Sequence, residues 1–107
     1  MKVYTFLTDG FETVEALAVI DILRRAGIEV ETVSITGNEQ VCSAQNITVK
    51  ADTLFKAQPV CKEDVLFLPG GPGHKQYNEC KPLLKLLEKH HAEGGRIAAI
   101  CAAPSIL

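Results

Sequence analysis

The sequence feature that most constrains the fold is a run of four apolar residues that ends abruptly at a proline. Val65–Leu68 contains no polar residue, and Pro69, Gly70 and Gly71 follow directly. A strand with one face in water alternates apolar and polar residues, whereas a continuous apolar strand is covered on both faces. The chain must therefore supply a layer on each side of a sheet, which is typical of α/β sandwiches.

The other predicted elements alternate as such a sandwich requires. We predict strands over Lys2–Leu7, Ile28–Ile35, Asp64–Leu68 and Arg96–Ile100, helices over Glu12–Ala26 and Lys81–His91, and two short strands over Gln40–Ser43 and Ile47–Lys50. The two short strands are candidates for a hairpin. The order of the elements predicts a mainly parallel sheet with right-handed crossovers, and 107 residues suffice for one domain with one core.

The first predicted helix is apolar nearly all the way round. Seven of the eight residues from Ala16 to Leu23 are apolar, and Asp21 is the exception. Such a helix needs cover on more than one side, so we expect contacts with the sheet on one side and with further chain or a second subunit on the other. For Asp21 we expect an ion pair with an arginine, for which an arginine of a second subunit is a candidate.

Charge and composition exclude several classes of function. The chain has 11 Lys and Arg residues against 13 Asp and Glu, and its net charge of −2 predicts neither a nucleic-acid partner nor an anionic membrane surface. No apolar run approaches the ~20 residues of a membrane span. There is no Gly-x-x-x-x-Gly-Lys-Ser/Thr phosphate loop and no closely spaced cysteine or histidine pair of the zinc-binding kind, so we expect no cofactor and no metal. The four cysteines are then expected to be reduced thiols of a cytoplasmic protein.

Three interruptions of the pattern fall where predicted strands end. They are Thr8–Glu15, Pro69–Gly73 and Cys101–Pro104. In parallel sheets with helices on both faces, ligands collect beyond the carboxyl ends of the strands. The convergence of three loops on this edge is the main argument from the residues for a functional site.

Cys101 and the glycine pair are the first candidates for that site. A strand delivers Cys101 to a turn that small residues and Pro104 continue, as in a nucleophile elbow. A helix that begins there would stabilise the thiolate and lower the cysteine pKa. Gly70 and Gly71 have the freedom to present backbone N–H groups to a developing oxyanion. The alternatives are an ordinary packed cysteine and an ordinary tight turn.

Glu15 is the third candidate, and the histidines are weaker ones. Glu12 and Glu15 both lie in the first helical turn, where the dipole favours carboxylates. Glu15 also adjoins the apolar part of this helix, and a buried carboxyl group tends to be protonated and to donate a hydrogen bond. We expect His90 and His91, at the end of the second predicted helix, to be exposed to solvent. His74 follows the glycine turn and is a candidate for the same edge, but no Cys–His pair can be assembled.

The three segments that carry these residues resemble a known family. Gly10–Gly27, Leu66–Gly71 and Ala98–Pro104 are similar, in this order, to the DJ-1/ThiJ/PfpI superfamily and above all to its DJ-1 branch. The resemblance implies a flavodoxin-like three-layer sandwich with a class I glutamine amidotransferase-like arrangement. It also implies a homodimer whose interface includes the first helix.

The resemblance assigns roles residue by residue. Cys101 matches the reactive, oxidation-prone cysteine, Glu15 matches the carboxylic acid that hydrogen-bonds it, and Gly70 and Gly71 match the neighbouring backbone donors. Cys42 matches a peripheral cysteine near the dimer interface. Two departures are visible. PfpI-type peptidases have histidine where this chain has Ala102, which argues against proteolysis, and DJ-1-like proteins commonly have glycine where this chain has Ala103.

The activity that the resemblance implies is a cofactor-free glyoxalase or deglycase that acts on small α-oxoaldehydes such as methylglyoxal. The alternative is a redox sensor or stress chaperone that works through oxidation of Cys101. A PfpI-type peptidase and a thiazole-biosynthesis protein are less favoured, the latter because no phosphate site is found. The chain stops after Ser105-Ile106-Leu107 without a helix stop, so we expect residues 1–107 to be a fragment or one piece of a nicked protein. The length of a family member that the resemblance implies makes this piece the N-terminal three fifths of a single DJ-1/PfpI-type domain.

Overall fold

A computed structural model of the protein describes residues 1–56 and 60–99. Within these ranges the strands are β1 Lys2–Leu7, β2 Glu29–Ser34, β3 Gln40–Cys42, β4 Thr48–Lys50, β5 Thr53–Leu54, β6 Val65–Leu68 and β7 Arg96–Ala99. The helices are α1 Thr13–Arg25, α2 Lys75–Glu79 and α3 Lys81–Ala92, with a 3-10 helix at Pro72–His74 before α2.

The larger elements agree with the sequence-based expectations, and three small ones, β5, α2 and the 3-10 helix, were missed. β3 and β4 form the anticipated antiparallel hairpin, in which Val41 pairs with Val49. β5 has only two residues and α2 only five. Segments of this length are too short to show a period of two or of 3.6 residues, so the sequence pattern gave no sign of them.

Five strands form one sheet in the order β5-β2-β1-β6-β7, and every neighbouring pair is parallel. The chain moves from β1 to β2 in one direction and from β6 to β7 in the other. The strand order therefore reverses between β1 and β6, and the crevice at the carboxyl ends of these two strands is the usual place for a ligand. The predicted α/β sandwich with a mainly parallel sheet is confirmed.

Both faces of the sheet are covered, as the apolar run in β6 requires. Side chains of one face of the sheet, Tyr4 and Phe6 among them, pack with Tyr77 of α2 and Leu83 of α3. On the other face, the buried Val3, Val30, Phe67 and Ile20 of α1 form a second cluster. The strand predicted over Arg96–Ile100 is present as β7, but it is only partly covered within the described residues. Only β6 pairs with it there, and the Arg96 and Ala98 side chains are exposed.

Helix α1 lies on the sheet by one side only. Its buried residues are Ala16 and Ile20, whereas Val14 is 70% exposed and Ile22 is 65% exposed. The apolar residues left uncovered agree with the expectation that this helix needs a second contact. The expected partner of Asp21 is Arg25 of the same helix, at 2.9 Å and on the surface, so no arginine of a second subunit is required.

The expectation that His90 is exposed was wrong. His90 is 3% exposed, and its Nε2 donates a hydrogen bond of 2.8 Å to the carbonyl oxygen of Asp64. The histidine occupies the last position of the apolar stripe of α3 that also buries Leu83 and Leu87. The helical register therefore places the ring in the core, where the Asp64 carbonyl satisfies its N–H group. His91, one position later, is exposed as expected.

Candidate active site

Two of the predicted loops meet at the carboxyl ends of β1 and β6. The backbone N–H of Gly73 donates to the carbonyl oxygen of Gly10 at 3.0 Å, and the N–H of Glu12 donates to the carbonyl oxygen of Gly70 at 2.9 Å. The rim loop after β1 (residues 8–12) and the glycine loop after β6 (residues 69–73) are thereby joined at the point where the strand order reverses. The structure thus places Gly70, which is buried, and Gly71 beside the start of α1.

The glycine loop approaches the rim loop so closely that side chains are excluded. Gly71 has a φ of 111°, and a Cβ atom there would lie 2.5 Å from the Glu12 nitrogen and 2.6 Å from the Gly10 oxygen. A Cβ atom at Gly73 would collide with the carbonyl oxygen of Asp9. The close approach, and not only the sharpness of the turn, requires glycine here.

Glu15 lies in the first turn of α1 and is half-buried. Its Oε1 atom is buried and has no hydrogen-bond partner among the described residues. A buried polar atom without a partner costs about 1–3 kcal/mol, so native structures keep few such atoms. The arrangement fits a carboxyl group whose partner belongs to a substrate or to another part of the protein.

The N-terminus of α1 is held by the hairpin. Glu12 occupies the N-cap position without a capping bond from its side chain. Gln45 supplies the acceptor instead, since its Oε1 lies 3.1 Å from the Thr13 nitrogen. The Thr13 hydroxyl shares its hydrogen between Gln45 Oε1 at 2.8 Å and Ser43 Oγ at 2.6 Å. The role of these residues could not be predicted from the sequence, because their contact spans about thirty positions of the chain and a polar hairpin turn carries no sign of it.

Backbone bonds attach the same hairpin to the rim loop. Gly10 donates to the Cys42 carbonyl and Ala44 donates to the Phe11 carbonyl, both at 2.8 Å, while the Cys42 N–H donates to Asp9 Oδ1 at 3.0 Å. The half-buried Cys42 thiol lies 3.5 Å from Asn46 Oδ1. The backbone of Cys42 is therefore hydrogen-bonded directly to the rim loop.

On the opposite face of the sheet, α2 is bonded to the ends of β1 and β6. The buried Thr8 hydroxyl donates to Gln76 Oε1. The Tyr77 hydroxyl lies 2.8 Å from the Phe6 carbonyl oxygen and 3.3 Å from that of Pro69, and burial raises the Tyr77 pKa well above its usual range. The hydroxyl therefore stays protonated and donates. A cavity of about 580 Å³ adjoins α2 and is lined by Ile35, Gln76, Glu79, Cys80 and Pro82.

Cys101 lies outside the described residues, as do Ala102, Ala103 and Pro104. The described part of β7 pairs with β6 in a register that places Ala99 opposite Leu68. The backbone of His74 lies in the 3-10 helix that follows the glycine loop. The structure therefore brings Glu15, Gly70 and Gly71 to one edge of the sheet, and the position of Cys101 relative to them stays a prediction.

Neither a metal-binding cluster nor a membrane-spanning helix occurs within residues 1–56 and 60–99. No group of three or more His, Cys, Asp or Glu side chains in these ranges is placed to hold a metal ion. None of the helices found there is long and apolar enough to cross a membrane.

Comparison with known proteins identifies the family. The model of the DJ-1/PfpI family matches residues 1–107. Protein DJ-1 homolog B of Arabidopsis thaliana is 38% identical over 106 residues, which are 98% of this chain and 24% of that protein. The glutathione-independent glyoxalase DJR-1.2 of Caenorhabditis elegans is 32% identical over 96 residues, which are 90% of this chain and 51% of that protein.

The solved structures lead to the same family. The structure of oxidized Toxoplasma gondii DJ-1 is 37% identical and superimposes with a TM-score of 0.91 over 99% of this chain, which is 58% of that protein. The chain thus spans about half or less of the length of these curated relatives. The sheet order and the helices on both faces are those of a flavodoxin-like sandwich. The chain belongs to the DJ-1/PfpI family.

Proposed function

We propose that this protein is a cysteine-dependent, cofactor-independent glyoxalase or deglycase that acts on α-oxoaldehydes such as methylglyoxal. Family membership and the likeness to a glutathione-independent glyoxalase support this activity. The observation that carries the proposal is the buried Oε1 atom of Glu15, which has no partner among the described residues and lies in the helical turn beside the glycine loop.

The proposed reaction begins at Cys101. Its thiolate adds to the aldehyde carbon, so that a carbon–sulfur bond forms and the aldehyde oxygen takes the negative charge. Backbone N–H groups of Gly70 and Gly71 hold this oxyanion, which no longer needs water to stabilise it. The glycines allow the backbone to come close enough for such bonds, because a side chain in this loop would collide with the rim.

Glu15 is the proposed proton shuttle. It protonates the oxyanion, removes the hydrogen from the former aldehyde carbon and returns it to the neighbouring carbon, which yields a thioester of a 2-hydroxy acid. One water molecule then hydrolyses the thioester, which releases the 2-hydroxy acid, regenerates the Cys101 thiolate and returns a proton to Glu15. The substrate is oxidised at one carbon and reduced at the next, so no redox cofactor is needed. A deglycase would release an amine from an aldehyde adduct at the same site.

A redox sensor or stress chaperone is the second candidate. The solved structure of Toxoplasma gondii DJ-1, which covers 99% of this chain, is that of an oxidized form. The oxidation of a relative this similar favours the sensor as a candidate. In this case a peroxide oxidises the Cys101 thiolate to the sulfenic and then to the sulfinic acid. The Glu15 carboxyl group would donate a hydrogen bond to the sulfinate.

We also propose a cytoplasmic homodimer that associates through α1. The exposed Val14 and Ile22, with Ala18 between them, form an apolar row at helical spacing on the uncovered side of this helix. Apolar rows of this kind are typical of surfaces that a second protein covers. Because a two-fold interface uses the same patch twice, a single helix suffices for it.

Turnover and oxidation should be measured on the same set of full-length proteins. We would follow conversion of methylglyoxal to lactate, and formation of sulfinic acid by mass spectrometry, for the wild type, Cys101→Ser and Glu15→Gln, with Cys80→Ser as the matched control. The proposal expects loss of turnover in Cys101→Ser, a loss of about 10²-fold or more in Glu15→Gln and an unchanged rate in the control. Full turnover by Cys101→Ser would overturn it. No turnover by the wild type, together with Glu15-dependent oxidation of Cys101, would favour the sensor.

A further inference from the structure

We propose that Gln45, at the turn of the β3–β4 hairpin, is a positioning residue that holds the Glu15 carboxyl group in place for chemistry. The inference rests on the proposed function, because it concerns the same carboxyl group. It assigns a role to the β3–β4 hairpin, which is separate from the two loops that form the candidate site.

The N–H groups at the start of α1 need acceptors from outside the helix. The first four N–H groups of a helix lack acceptors within the helix, and a side chain at the N-cap position usually supplies one. The N-cap residue Glu12 supplies none here. Gln45 Oε1 accepts from the Thr13 N–H at 3.1 Å and also lies 2.8 Å from the Thr13 hydroxyl. Gln45 therefore caps α1 from outside the helix.

Gln45 is itself supported by the hairpin. The Ser43 hydroxyl oxygen accepts from the backbone N–H groups of Gln45 at 3.3 Å and of Ile47 at 3.1 Å, which fixes the turn. Two backbone bonds of 2.8 Å attach the hairpin to the rim loop, and Val41 is fully buried against Leu7, Phe11 and Ala16. The cap is thus built on a part of the hairpin that packs into the core.

The cap holds the helical turn that carries Glu15. Glu15 follows Thr13 by two residues, within the same helical turn. Its buried Oε1 has no partner among the described residues, so the local structure gives no other reason for that oxygen to stay inside. Fraying of the first turn would let the carboxyl group move to water. A cap that suppresses fraying therefore raises the fraction of molecules in which Glu15 points inward.

The test compares Gln45→Ala with Gln40→Ala in the full-length protein. Gln40 is an exposed glutamine of the same hairpin, and its hydrogen bond to Asn38 Oδ1 uses the backbone N–H, which alanine keeps. The readouts are the pH titration of the Cys101 thiol, kcat for methylglyoxal, and hydrogen exchange of the α1 amides. We expect Gln45→Ala to shift the thiol titration, to lower kcat about fivefold and to speed exchange in the first turn of α1, as loss of a helix cap implies. Gln45→Glu keeps an acceptor oxygen and should restore all three, whereas Gln40→Ala should change none.

A second variant separates failure of this inference from failure of the proposed function. In a Glu15→Ala background, which has no donor at position 15, Gln45→Ala should have no further effect on the thiol titration, because its effect passes through the Glu15 side chain. If Glu15→Gln moves the titration and Gln45→Ala does not, the inference is overturned while the proposed function stands. If Glu15→Gln itself leaves the titration unmoved, the proposed function fails first. A fall in thermal stability with an unmoved titration would make Gln45 merely structural and would also overturn the inference.

Discussion

The Glu12 N–H donates to the carbonyl oxygen of Gly70 at 2.9 Å and so joins the first turn of α1 to the glycine loop after β6. The N–H group of the next residue, Thr13, is bonded to Gln45 of the hairpin. The turn that carries Glu15 is therefore held from both sides by segments distant in the sequence. The predictions below test this arrangement and its surroundings.

Replacement of Gly71 by alanine should destabilise the protein more than the same replacement at Gly37. Both glycines have positive φ, at 111° and 87°, so both variants lose about 1–2 kcal/mol to backbone strain. Only at Gly71 does the new Cβ meet backbone atoms, at 2.5 and 2.6 Å, whereas nothing lies within 4 Å at Gly37. We expect an additional loss of about 1–3 kcal/mol for Gly71→Ala in urea denaturation. Equal losses in the two variants would show that the loop can move away from the rim.

His90→Leu should lower the free energy of unfolding, whereas His91→Leu should not. Leucine keeps the apolar packing of α3 but leaves the carbonyl oxygen of Asp64 without the bond that Nε2 provides at 2.8 Å. An unpaired buried acceptor costs about 1–3 kcal/mol. His91 is exposed, so its replacement should stay within about 0.5 kcal/mol. A neutral effect of His90→Leu in chemical denaturation would indicate that water reaches the Asp64 carbonyl.

Tyr77→Phe should make the protein less sensitive to alkaline pH. Burial raises the Tyr77 pKa above its ordinary value of 10.0, so the unfolded chain loses this proton at lower pH than the folded chain does. The stability that the neutral hydroxyl contributes is fully present below pH 10.0 and falls above it, by about 1.4 kcal/mol per pH unit. Stability measured against pH should therefore fall less steeply for Tyr77→Phe above this pH. Because Tyr4 also has a raised pKa and is unchanged in both proteins, parallel curves would contradict the assignment to Tyr77.

Ile22→Glu should convert the proposed homodimer to a monomer. The change places a carboxylate at one end of the apolar row on α1, where desolvation of the charge opposes association. Leu54→Glu is the control, since Leu54 is 37% exposed on β5, at the edge of the sheet. Light scattering at micromolar concentration should show a dimer for the wild type and the control and a monomer for Ile22→Glu. A monomeric wild type would contradict the proposal.

The sequence predicted the strands and helices whose apolar pattern extends over many residues. β1 was predicted with the bounds that the structure has, and the long helices α1 and α3 were predicted to within one residue at each end, because apolar spacing over many residues is a strong signal. The burial of His90 was not predicted, because a histidine at the end of a helix is typically exposed, although this one lies on the apolar stripe of Leu83 and Leu87. The Gln45 cap and the contact of Gly73 with Asp9 were missed, since each joins segments that only the folded sheet brings together.

For the candidate site, the sequence predicted which residues share one edge of the sheet but not how they are arranged there. The convergence of loops at the ends of parallel strands predicted that Glu15, Gly70 and Gly71 share one edge, and the structure places them there. The lack of a partner for Glu15 Oε1 has no counterpart in the sequence, because it depends on what surrounds the helix. The reactivity of Cys101 and its bond to Glu15 stay predictions.

The most direct test of this account is a thiolate absorbance titration of Cys101 in the full-length wild type, Glu15→Gln and Glu15→Asp, with Cys42, Cys61 and Cys80 replaced by serine in all three. If the Glu15 carboxyl group donates to the thiolate, shortening the side chain by one methylene breaks the bond, and Glu15→Asp should raise the Cys101 pKa by roughly one unit or more. Glu15→Gln keeps a weaker neutral donor and should give an intermediate curve. Three superimposable curves would contradict the account, because Glu15 would then be a first-turn carboxylate that interacts only with the helix dipole.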